Sequence, residues 1–237
     1  MRGCGRTRWA AAVAVGALLQ LGCGGSGTDV VGGAPETALP PPAVDIGAPA
    51  DGRLQTAVLA GGCFWSVEAV FEAVKGVVDV VSGYVGGSAE TARYDLVAWA
   101  GTTQHAEAVE ITFDPNVVSY GQLLRVFFSA AHDPTQLDRQ TPDVGPQYRS
   151  HIYYMTDAQR DVAAAYIEQI DGSGALAKPV VTRLDPLDVF YWAEEEHQDF
   201  VLKNPENDYV RFYSIPKLLR LGALLPDLYR RPWGVWY

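Results

Sequence analysis

Apolar residues first take up a regular period at Thr56. Thr56 to Ala60 is a short apolar run that reads as a strand, and Gly61-Gly62 breaks it. Beyond the break, Val67, Val70, Phe71 and Val74 recur at i, i+3, i+4 and i+7, the spacing of one helix face. Gly76 closes that helix, Val77 to Tyr84 supplies a second strand, and Gly86-Gly87 opens a loop. Cys63 therefore falls at a strand-to-helix junction.

Further along, Val109, Ile111 and Phe113 alternate with Glu110, Thr112 and Asp114, the period of a half-buried strand that Asp114-Pro115-Asn116 ends. Ser119 followed by Gln122 is a capping-box pattern opening a helix from Tyr120 to Ala131, and Thr156 followed by Gln159 opens another through Ile170. His151 to Met155 reads as a strand between them. Val180, Thr182 and Leu184 alternate once more, Phe190 to Leu202 reads as helical, and the rest is interrupted by proline. Strand–helix–strand units mixed with alternating strands predict an α+β fold, a two-layer sandwich of mixed sheet and helices with a ferredoxin-like core and long coil segments.

Residues 1–53 follow other patterns. Arg2, Arg6 and Arg8 precede an apolar run from Trp9 to Leu21 that ends in Gly22, Cys23, Gly24 and Gly25, the layout of a secretory signal peptide. The run falls short of the roughly 20 residues that a membrane span needs. Its end, Leu-Gln-Leu-Gly-Cys, resembles a bacterial lipoprotein cleavage box in which Cys23 becomes the first residue and is acylated, with Gln20 where an aliphatic residue is usual. Residues 24–53 are rich in Gly and Pro without a sustained period, and too poor in large apolar residues to offset their ordering entropy; they predict a flexible tether, with a structured arm laid across the domain as the alternative. The expected organisation is a signal peptide over 1–23, a tether over 24–53 and one catalytic domain over 54–237. The expected location is the periplasmic side of the cell envelope, lipid-anchored.

Composition narrows the function. At 237 residues with 48% hydrophobic content the chain fills one core rather than two. A net charge of −10 leaves no Lys/Arg stripe for phosphate contacts, which argues against nucleic acid. His105, His132, His151 and His197 show no ligand spacing and no partnering Cys pair, so no metal site is expected.

Cys63 carries the first chemical hint. A cysteine in the first turn of a helix faces unpaired N–H groups and the positive end of the dipole, both of which favour thiolate. A buried structural cysteine is the competing reading. Phe64 and Trp65 follow it directly and can line a pocket for a small apolar group, or pack into the core.

At GGCFW, SGYVGG, QHAEAVEITFDP and HDPTQLDRQTPDVGPQYRSHIYY, in that order and spacing, the chain resembles the A-type peptide methionine sulfoxide reductases. The resemblance runs from about Val58 to about Lys217, with weaker matches at EEEHQDF and KNP. It implies that Cys63 attacks the sulfur of methionine S-sulfoxide, releasing methionine as a sulfenic acid forms on the enzyme. Glu107 would be the general acid, Tyr94 and Tyr148 would hydrogen-bond the sulfoxide oxygen, with Tyr84 the alternative to Tyr94, and Asp143 would complete the polar side of the pocket. The resemblance also implies a monomer with no bound cofactor, regenerated by an external thiol, either a small thiol or a thioredoxin-like protein.

Three departures stand out. Many relatives carry resolving cysteines near the C-terminus, but residues 211–237 contain none; with Cys4 lost and Cys23 acylated, Cys63 would be the sole free thiol. Ser66 stands where the family usually has Gly, and Glu196 where it usually has an aromatic residue. Glu107 begins an alternating strand and, apart from the motif, reads as a solvent-facing carboxylate. Two other functions remain open on the residues alone: an exported Cys-His peptidase, and a binding lipoprotein in which Cys63 is merely packed.

Overall fold

The computed structural model describes residues 35–100 and 103–231; the signal-peptide and lipidation readings and the first part of the tether lie outside them. A strand β1 (Gln55–Gly61) leads into helix α1 (Phe64–Glu72), then β2 (Val77–Val85), a short helix α2 (Tyr94–Ala100) and β3 (Ala106–Phe113). Helix α3 (Tyr120–Val126), the hairpin strands β4 (Arg139–Gln140) and β5 (Asp143–Val144), and strand β6 (Ser150–Tyr154) come next. Helix α4 (Asp157–Ser173), β7 (Arg183–Pro186), β8 (Phe190–Trp192), α5 (Phe200–Lys203) and α6 (Ile215–Leu224) complete the chain.

Six strands pair in the order β7-β6-β1-β3-β2-β8, antiparallel except for β6 with β7. Within it, β1-α1-β2-β3-α3-β6 with strand order β6-β1-β3-β2 is the split βαβ arrangement of a ferredoxin-like core. The fold is the α+β sandwich expected. Alternation sorts the two faces. Ala57 and Leu59 of β1 and Val109, Ile111 and Phe113 of β3 join the main core beneath the helices; Val58, Ala60, Ala106 and Ala108 form a smaller cluster on the reverse face.

Both sequence-predicted caps form. Ser119 Oγ accepts the Gln122 N–H while Gln122 reaches back to the Ser119 N–H, a reciprocal box. Thr156 caps α4 by accepting from Gln159 N–H, but the Gln159 side chain turns instead to Met155 N–H and Thr56 C=O. The helix expected over Tyr120 to Ala131 changes at Phe127 into a fully buried π-helical turn, Phe127–Ala131.

Other expectations are corrected. Phe190 to Leu202 is not one helix. Its first residues pair with β2 as β8, and Gly83 makes that approach possible, since a Cβ there would lie 2.4 Å from the Tyr191 carbonyl oxygen. Glu195–His197 then forms a 3₁₀ turn before α5. The strand around Val180 to Leu184 is confined to β7, because the N–H groups of Val180 and Val181 go to Asp171 and to the Pro134 carbonyl. The proline-interrupted tail contains a second π-helical turn, Val210–Ser214, continuing into α6.

The tether reading gives way to a docked arm for the described residues up to Ile46. Leu39 is buried, its N–H bonds Ser129 Oγ at 3.1 Å and its carbonyl accepts from Arg125 at 2.7 Å. Tyr166 and Gln169 of α4 donate to the carbonyls of Pro40 and Pro41, and Asp45 accepts from Ser119 Oγ and Gly121 N–H. Composition missed this because side chains on α3 and α4 supply the hydrogen bonds that a proline-rich strand cannot make with itself.

Candidate active site

Cys63 is the N-cap residue of α1, with φ −54° and ψ 120°, held at the end of β1. Gly62 enters at φ +96° with Gln140 packed where a Cβ would stand, 2.6 Å away, so only glycine fits before the cysteine. The sulfur interacts with the Trp65 N–H and the Tyr209 hydroxyl, both of which favour its charged form. Burial nonetheless pushes the Cys63 thiol well up, and negative charge on Glu107, when it ionises, and on Asp143 adds to the rise. The resting cysteine is thus a neutral thiol, and the thiolate expectation is corrected: at 6% exposure, lost hydration and two nearby carboxyl groups outweigh the helix terminus.

Glu107 lies on β3 with the same parity as Val109, Ile111 and Phe113, so alternation turns it under α1 rather than to solvent. It is 1% exposed, and its Oε2 accepts the Phe64 N–H at 2.9 Å. Burial raises its carboxyl to about 8; the Phe64 N–H pulls the other way and Asp143 reinforces the rise. At pH 7 most of it carries a proton.

The structure brings the other sequence-predicted residues to the same place. Tyr94, Tyr148 and Asp143 all interact electrostatically with Cys63, and both phenols lie far above the usual range, chiefly through burial. Tyr84 is committed elsewhere, its hydroxyl donating to Glu194 at 2.8 Å. Glu194 also accepts from the Tyr94 N–H at 3.0 Å, which leaves Tyr94 as the phenol on the cysteine side. Phe64 is fully buried beneath Tyr84 and Tyr94, whereas Trp65 is half-exposed, stacked on Phe200 with ring centroids 3.7 Å apart. His197 fixes the indole by accepting its N–H at 3.3 Å.

Sequence reasoning missed Tyr209. Its hydroxyl donates to Asp143 Oδ2 at 2.5 Å and bridges to Cys63, and its ring stands edge-on to Trp65. The nearby KNP match was the only signal, and the intervening residues hid the register. His132, by contrast, stands apart from the sulfur: its nitrogens engage the Phe127 carbonyl and Ser150 Oγ, and burial lowers it to about 3. No histidine is recorded bonding Cys63 among the described residues, so the Cys-His peptidase arrangement is not formed. No cluster of His, Cys, Asp and Glu there has the geometry for a metal.

These buried groups set a pH dependence of stability. Burial raises Glu68, Glu72 and Glu107 from 4.5 to about 8, so each takes up a proton on folding between those values and stability falls as pH rises through that window. His132, lowered from 6.5 to about 3, acts oppositely but only below 6.5. The melting temperature should therefore decline from about pH 6.5 to about pH 8. A melting temperature that rises over that interval would show that these carboxyls ionise freely within the fold.

The sequence profile described as "Peptide methionine sulfoxide reductase" matches residues 55–222. A protein of Mesorhizobium japonicum named "Peptide methionine sulfoxide reductase MsrA 2" is 50% identical over 175 residues, 74% of this chain and 89% of its own. "Peptide methionine sulfoxide reductase MsrA" of Thermus thermophilus is 46% identical over 176 residues, covering 74% of this chain and 98% of its own. Among solved structures, reduced Mxr1 from Saccharomyces cerevisiae superposes with a TM-score of 0.59 at 30% identity, over 72% of this chain and 96% of that one. Methionine sulfoxide reductase A of Corynebacterium diphtheriae gives 0.57 at 31% identity, over 76% and 90%.

Proposed function

Since the chain belongs to the peptide methionine sulfoxide reductase family, we propose that Cys63 is the nucleophile with which it reduces methionine S-sulfoxide. The observation that carries this assignment is the convergence of Glu107, Asp143, Tyr94, Tyr148 and Tyr209 on one buried thiol. Electrons come from an external thiol.

The sequence of events follows from the resting protonation states. Sulfoxide enters with its oxygen toward Tyr94 and Tyr148 and its methyl against Trp65, with Phe64 as the floor. Cys63 gives up its proton and its sulfur attacks the sulfoxide sulfur, while Glu107 delivers a proton to the oxygen. That oxygen ends on Cys63 as a sulfenic acid and methionine departs. One proton leaves the thiol and one reaches the oxygen, so the site closes its own proton balance with Glu107 as relay. Two equivalents of external thiol then return Cys63 through a mixed disulfide, releasing water. A one-cysteine cycle is supported by Cys63 being the only cysteine among the described residues. Incubating the purified protein with each sulfoxide epimer and a small thiol should release methionine from the S epimer alone; release from the R epimer alone would refute the assignment.

The N-terminus belongs to the same proposal. Arg2, Arg6 and Arg8 ahead of the apolar run to Leu21 support export by a signal peptide. Acylation at Cys23 then holds the domain at the periplasmic face, where it repairs oxidised envelope proteins. Metabolic palmitate should label the wild-type chain and not Cys23→Ala. Equal labelling of the two would exclude the anchor.

A further inference from the structure

Lys217 occupies a position that folding alone disfavours. It lies near the start of α6, just past the π-helical turn Val210–Ser214, from which the helix runs on without a break. Its side chain is also 5% exposed, although lysine is almost never buried without a partner. Among the described residues it makes no direct ion pair. A buried ammonium so placed lowers stability, which directs attention to what it faces.

What it faces is the site. Burial lowers the Lys217 pKa, and Cys63 and Asp143 hold it up. Lys217 in turn draws the Asp143 carboxyl down against the rise that burial causes. The remaining charged neighbours do not compete for it. His132 is uncharged at neutral pH, and Arg220 further along α6 answers to Asp133 and the Ser129 carbonyl.

The placement is built into the chain. Ser214, the last residue of the π-helical turn, lies with its hydroxyl 2.7 Å from that of Ser66, and both residues are fully buried. Ser66 is in the first turn of α1, next to Cys63. The start of α1 therefore touches this helix where its π-helical turn passes into α6, between Tyr209 and Lys217. Ser66, which departs from the family's usual glycine, is thus one half of the clasp.

We propose that Lys217 is a positioning residue for sulfoxide reduction, the fixed counter-charge that keeps Asp143 anionic and allows the Cys63 sulfur to become negative. The charge count gives the reason. With Glu107 protonated, Asp143 and Lys217 cancel in the resting site, and forming the thiolate leaves one net negative charge. Without the ammonium the same step leaves two in a buried space for as long as Asp143 stays ionised, which raises the thiol pKa. This role rests on Cys63 being the nucleophile, but it is measurable without substrate.

The test is the rate of Cys63 alkylation by iodoacetamide against pH, in the full chain, for wild type, Lys217→Arg and Lys217→Met. The methionine variant should raise the alkylation midpoint by about one unit or more, making alkylation roughly tenfold slower at any pH below it. Its melting temperature serves only to confirm that it folds, since losing a buried ammonium and leaving Asp143 without its counter-charge act in opposite directions. The arginine variant should restore most of the wild-type profile. A folded Lys217→Met with a wild-type profile overturns the proposal. Should that variant fail to fold, ¹⁵N-lysine spectra of the wild-type chain decide instead: one ammonium signal, absent in Lys217→Arg, should titrate with Cys63 and stop doing so once Cys63 is alkylated. A Lys217 signal indifferent to Cys63 overturns the proposal as surely. Wild type that alkylates as expected but releases no methionine from the sulfoxide would refute the reductase role of Cys63 and leave the electrostatic role of Lys217 standing.

Discussion

Serine in place of Cys63 is expected to leave a folded protein that releases no methionine from methionine S-sulfoxide. The hydroxyl is close in size to the thiol and inherits the Trp65 N–H and the Tyr209 hydroxyl as partners, so the site should persist. What is lost is chemical. The reaction needs a polarisable sulfur that attacks another sulfur and then carries the oxygen as a sulfenic acid, a step on a ladder that serine does not possess. Methionine release at the wild-type rate by Cys63→Ser, measured over a single turnover, would place the nucleophile elsewhere in the chain.

The second large effect belongs to Glu107→Gln. Glutamine keeps an oxygen to accept the Phe64 N–H, which is 2.9 Å away in the native protein, and so preserves the start of α1. It cannot give up a proton at neutral pH. General acid catalysis contributes roughly 10²–10⁴-fold, and sulfenic acid formation should slow by that order in single-turnover measurements. Since burial raises the Glu107 carboxyl to about 8, the wild-type step should weaken as pH rises through that value, and the variant should lose this limb of the profile. A variant with near-normal single-turnover rates would remove Glu107 as the acid.

Much of this is legible in the sequence, and the exceptions have physical causes. The period-2 run through Val109, Ile111 and Phe113 gave the strand and also contained the answer about Glu107. It shares their parity and Glu110 does not, so counting back two residues from Val109 already turns it inward. The capping pair Ser119 and Gln122 was equally legible, because a box is a local interaction that nearby residues alone determine.

Non-local relations were not legible. Nothing around Phe190 announces that it will pair with β2, because that depends on the missing side chain at Gly83, over a hundred residues upstream. Residues 39–45 pack through contacts with α3 and α4 that their own composition does not foretell. Tyr209 and Lys217 lie far from Cys63 in sequence and reach it through the packing of their helix against the start of α1, where Ser214 meets Ser66. The state of Cys63 itself followed the same rule. Its position at a helix start suggested a thiolate, and the carboxyl groups gathered around it by distant strands reversed the balance.

The most direct test asks whether a single buried cysteine takes the oxygen. One equivalent of methionine S-sulfoxide should be added to the reduced protein with no external thiol present, and the peptide containing Cys63 weighed while released methionine is counted. One methionine per protein and one added oxygen on Cys63 are expected. Methionine release with Cys63 unmodified, or with Cys63 joined in a stoichiometric intramolecular disulfide, would contradict this.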